Sequence, residues 1–131
     1  MTKGDWLDLA VLERKKYNCL SEVWDLSQQM GQAMDRNDDV SVRLLMAMRQ
    51  EPLLQLQELQ HAVSLKKEGL TPEDQERVSA LNRGAAPQGD EETTYHSQAG
   101  SARRLLERIV ELDERLNRRL AGEDSFYAQK K

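Results

Sequence analysis

The sequence predicts an all-α fold: a long antiparallel helical hairpin, a short third helix and an amphipathic C-terminal helix, bundled as one domain over residues 1–131. Three observations carry this. Apolar residues recur every three or four positions over long stretches, the period of one helical face. Charged residues make up 32% of the chain against 5% aromatic, the composition of long amphipathic helices. Finally, turn residues punctuate the chain at a few places and are sparse elsewhere.

The first helix is expected over residues 5–36. Leu9, Leu12, Lys16, Cys19, Val23, Leu26, Met30 and Ala33 keep an alternating 3–4 spacing, with the alkyl stem of Lys16 lying along the seam. Trp6, Leu20, Trp24, Ser27 and Met34 widen the stripe, and the two tryptophans suit a core better than a surface. Asn37-Asp38-Asp39 then ends this helix and caps the next, because Asx side chains accept free backbone N–H groups. A link this short makes the neighbouring helices antiparallel.

The second helix, residues 40–68, is the stretch around which the rest is expected to organise. Its apolar positions 42, 45, 53, 56, 59 and 63 form one stripe, flanked by 46, 48, 54 and 65. At 1.5 Å per residue such a helix is about 42 Å long and needs equally long partners. Pro52 predicts a kink near residues 48–52 within a single helix, since it lacks an N–H and crowds the carbonyl four residues back. Gly69 ends this helix. Thr71 and Pro72 then start a short third one over residues 72–82, with acidic residues in its first turn. Residues 83–101, rich in Gly, Ala, Thr and Gln, read as a loop, with room for a helical turn over Glu91–Gln98. The last helix is expected over residues 102–121, striped by Leu105, Leu106, Ile109, Leu112, Leu116 and Leu120 and ended by Gly122. Residues 122–131 read as a tail with Phe126 and Tyr127 as apolar handles.

No catalytic constellation emerges. Glu58 and His61 have the Glu-x-x-His spacing of a di-iron bundle, but that site needs a second such motif, and the position three before His96 is Thr93. Cys19 stands alone, which also excludes an internal disulfide and fits a reducing compartment. There is no glycine-rich phosphate loop. No enzyme, metal or cofactor is expected. A net charge of -4 argues against nucleic acid as the main partner. The longest apolar run, Leu44–Met48, is too short to be a secretion signal or to span a membrane, so a cytoplasmic home is expected. The arginines at 103, 104, 108, 115, 118 and 119 are interspersed with acids and read as a solvated face.

What remains is a surface for a protein partner. Met30, Met34, Met46 and Met48 flank the hairpin turn, where methionines either fill a core or repack around different apolar clients. The leucine stripe of the last helix is the other candidate contact.

Four segments carry a family resemblance: Tyr17–Met30, the turn Met34–Asp39, Leu44–Leu54 with its Leu-Leu-Met-Ala-Met-Arg-Gln-Glu-Pro-Leu-Leu run, and Ile109–Leu116. In pattern and layout the chain resembles the flagellar type III export chaperones. That resemblance implies a cytoplasmic chaperone, monomeric or homodimeric, binding an amphipathic helical segment of a hook-associated or filament-cap subunit. It further implies that the last helix can fold back over the client groove. An oligomeric coiled-coil module, with the leucine stripe as its subunit interface, is the alternative expectation.

Overall fold

The structure is a computed structural model that describes the backbone of residues 1–130 and the side chains of residues 1–122. Four helices follow in order: α1 (Lys3–Asp35), α2 (Asp39–Glu68), α3 (Pro72–Asn82) and α4 (Asp90–Lys130). No strand occurs among the described residues, so the fold is all-α.

Local chemistry sets each boundary. The Thr2 hydroxyl accepts the Asp5 N–H at 3.0 Å and the Asp5 carboxylate accepts the Thr2 N–H at 3.0 Å, a reciprocal cap that starts α1. At its other end Asn37 takes a left-handed φ of 57°. The Asp38 N–H donates to the Ala33 carbonyl and the Asn37 N–H to the Met34 carbonyl, which closes a Schellman turn. Asp38 then accepts the Ser41 N–H at 3.1 Å and starts α2. Gly84, with φ 108°, closes α3 by the same pair of backbone bonds, to Ala80 and Leu81.

α1 is the centre of the bundle. It packs along its length against α2 on one side and α4 on the other, whereas direct packing between α2 and α4 is slight. α2 runs antiparallel to it. α4 runs parallel to it, with Tyr95 beside Trp6 at one end and Leu116 beside Met30 at the other. The expectation that α2 is the organising helix is therefore corrected. A helix gripped on two sides buries a wide arc, so Ala10, Glu13, Leu20 and Ser27 are buried in α1 while Leu12, Lys16 and Cys19 of the expected seam stay half-buried.

The core has three layers. Trp6, Leu9, Val63 and Tyr95 meet Val78 and Leu81 of α3 at one end. Leu20, Val23, Leu56, Ala102, Leu105 and Ile109 fill the middle. Leu26, Met30, Met34, Val42, Leu45 and Leu116 close the hairpin end. α2 passes unbroken through Pro52, whose ring is fully buried.

The loop expected over residues 83–101 is overturned beyond Gly89. α4 begins at Asp90, and Glu92 organises its start. The Glu92 carboxylate accepts the Gln88 N–H at 3.0 Å and pairs with the Arg77 guanidinium of α3. This turn carries little apolar periodicity, so its signal was faint. Two small residues of α4, Ala99 half-buried and Ala102 buried, pack against α1. α4 also continues through Gly122, which does not end it. The side chains of Phe126 and Tyr127 lie outside the described residues.

Candidate functional site

The leucine stripe of α4 faces α1. Leu105, Ile109 and Leu116 are buried, Leu112 and Leu120 half-buried, and only Leu106 is exposed, on the flank toward α2. As candidate partner contacts, all of these residues except Leu106 are thus already engaged within the chain.

Polar contacts reinforce the docking. Arg49 of α2 donates to Asp113 of α4 at 2.9 Å, and Arg119 pairs with Asp35 of α1 at 2.9 Å. The Arg108 guanidinium lies 4.8 Å from the centre of the Trp24 ring, within cation–π range. Arg103 donates to the Asn82 carbonyl at 3.0 Å. Three of the six arginines on this face, Arg103, Arg108 and Arg119, thus contact other elements of the bundle.

The four methionines do not form one patch. Met30 and Met34 are buried among Ala33, Val42 and Leu45, while Met46 and Met48 are exposed. Two positions apart on a helix means about 200° of rotation, so Met46 and Met48 emerge on opposite flanks of α2.

The surface that remains open is one the leading stripe concealed. Val40 (77% exposed), Leu44 (61%), Leu54 (57%) and Leu65 (54%) lie on the face of α2 turned away from its buried row of Val42, Leu45, Leu56 and Val63. Exposed Ala47 joins them, and Glu51, Glu58 and His61 occupy the remaining positions of the same 3–4 progression. A second row at 40, 44, 47, 54 and 65 was present in the sequence. It was obscured because 54 and 65 read as flanks of the core stripe.

Electrostatics at the ends of the hairpin hold this face in place. The Lys66 ammonium sits 2.8 Å from Asp5 and 3.2 Å from Asp8, tying the end of α2 to the start of α1. That ammonium, with the Thr2 N–H, holds the Asp5 carboxyl down at about 2. Cys19 is half-buried, its thiol directed at the Gln55 side-chain carbonyl at 3.7 Å, and burial pushes its pKa up, which suppresses the thiolate. His61 is exposed, and no group of three potential metal ligands occurs among the described residues. No described helix is long and apolar enough to cross a membrane. No known protein family, curated protein or solved structure matches the chain.

Proposed function

We propose that the chain is a non-enzymatic protein-binding module of the export-chaperone type, which works in the cytoplasm. It holds an amphipathic helical segment of a client, a flagellar axial or cap subunit, against the outer face of α2. The observation that carries this reading is the exposed row Val40, Leu44, Leu54 and Leu65. Such a row receives a client helix through anchors at i, i+3, i+4 and i+7. Covering four half-exposed aliphatic side chains contributes roughly 1–2 kcal/mol each. Association costs several kcal/mol, so the row alone gives weak, reversible binding, and flanking contacts set the final affinity. Reversibility suits a carrier that must release its load. In this reading α4 stays on α1 and guards the apolar face beneath it.

The test is calorimetric titration of the full chain with C-terminal helical segments of flagellar axial proteins. Binding that disappears in Leu44→Asp/Leu54→Asp, with helicity unchanged, is the expected result. Binding that survives this change moves the client site elsewhere.

A second reading has its own support: the progression 40, 44, 47, 51, 54, 58, 61, 65 keeps the spacing of a coiled-coil seam. A parallel pair would set Glu51 against Glu51 and Glu58 against Glu58, so self-pairing would be antiparallel. Light scattering separates the two readings, because a concentration-independent monomer excludes the second.

A further inference from the structure

Where α2 and α4 lie side by side on α1, a cleft of about 270 Å³ opens between them, on a different face from the α2 row. Leu20 of α1, Leu56 and Val63 of α2 and Leu106 of α4 supply its apolar surface. Glu13, only 4% exposed, lies against it, but its carboxylate is paired with Lys16 at 3.1 Å and that pair is internally neutral.

The cations contributed by α2 and α4 are different. Lys67, in the last turn of α2, has no carboxylate within 4.0 Å among the described residues. Nor does Arg103 of α4, whose guanidinium is bonded only to the Asn82 backbone carbonyl. The ionised lining groups are Glu13 at −1 and Lys16, Lys67 and Arg103 at +1 each, so the cleft carries +2 inside a chain of net charge -4. A hydrocarbon-lined hollow with two uncompensated cations from facing helices matches a ligand with an apolar body and one anionic end.

We propose that this cleft binds a small amphipathic carboxylate, its hydrocarbon portion against Leu20, Leu56 and Leu106 and its carboxylate between Lys67 and Arg103. The site is independent of the client reading, because it uses the inner side of α2 rather than its outer row.

The experiment is an NMR titration of the full chain with octanoate below its micellar concentration, beside octylamine and acetate. Octanoate is expected to shift amide signals around Leu20, Leu56 and Leu106 saturably, while octylamine, with the same tail and opposite charge, and acetate, with no tail, leave them unmoved. Lys67→Gln/Arg103→Gln alters two solvent-accessible side chains outside the core and should weaken octanoate about tenfold with the helical spectrum unchanged. Equal binding of octanoate and octylamine overturns the proposal, as does full affinity in the double variant. Shifts confined to Leu44 and Leu54 of the outer row also overturn it.

Discussion

Arg49 and Asp113 form the ion pair that joins α2 to α4, at 2.9 Å, across two helices that otherwise meet mainly through α1. The pair is half-made. The Arg49 Nε and the Asp113 Oδ1 are both buried without a partner, although a guanidinium and a carboxylate can meet through two parallel bonds. The second Arg49 nitrogen spends itself on the Met30 sulfur at 3.6 Å, a weak acceptor.

Removing one partner should therefore cost more than removing both. Asp113→Ala strands the largely buried Arg49 charge and should lower stability by about 2 kcal/mol, a fall in Tm of roughly 6–10 °C for a chain of this size. Arg49→Met/Asp113→Leu should recover most of that loss. Thermal melts of the three proteins check it, and additive losses would show that the pair is not coupled.

The Tyr95 ring is fully buried, 5.7 Å from the Trp6 ring, and its hydroxyl donates to the Asn82 side-chain carbonyl at 3.0 Å. Burial pushes the phenol up to about 12 from an ordinary 10.0. The folded state thus keeps its proton where the unfolded chain gives it up, and stability should fall as pH rises from 10 toward 12. Tyr95→Phe should flatten that alkaline limb while costing about 1 kcal/mol at neutral pH for the lost hydrogen bond. Denaturant unfolding at a series of pH values reads both effects.

Asp5 predicts the opposite limb. Its carboxyl is held at about 2 against an ordinary 3.8, so its contribution is complete above the ordinary value and is lost as pH falls through that interval. Asp5→Asn should melt lower at neutral pH and lose less on acidification between those two values. An acid limb identical to the parent would show that the Lys66 pair contributes nothing.

The two apolar rows should respond differently to charge. Ile109→Asp buries an unpaired carboxylate in the middle layer and should unfold the bundle. Leu44→Asp and Leu54→Asp, on the open face, should change stability by less than about 0.5 kcal/mol. Circular dichroism melts distinguish a core row from a surface row directly.

The fold class was legible because helical periodicity is a local property: Leu9, Val23 and Leu26 announce a buried stripe without reference to any other helix. So was the hairpin turn, since Asn37 and Asp38 supply the left-handed residue and the cap that such a link requires. The start of α4 was not. Thr93, Thr94 and His96 show no stripe, and their helix is set by the Arg77–Glu92 pair and the fit of small residues against α1, both of them contacts between elements.

The functional surface divides along the same line. Sequence by itself determined which positions are apolar, and hence that α2 and α4 each carry a long leucine-rich face. Which faces stay open depended on how three long helices share one another's surfaces. Placing α1 between α2 and α4 buried Leu105, Ile109 and Leu116, divided the methionines and left Val40, Leu44, Leu54 and Leu65 bare. A stripe announces that it seeks a partner, and only packing decides whether the chain itself is that partner.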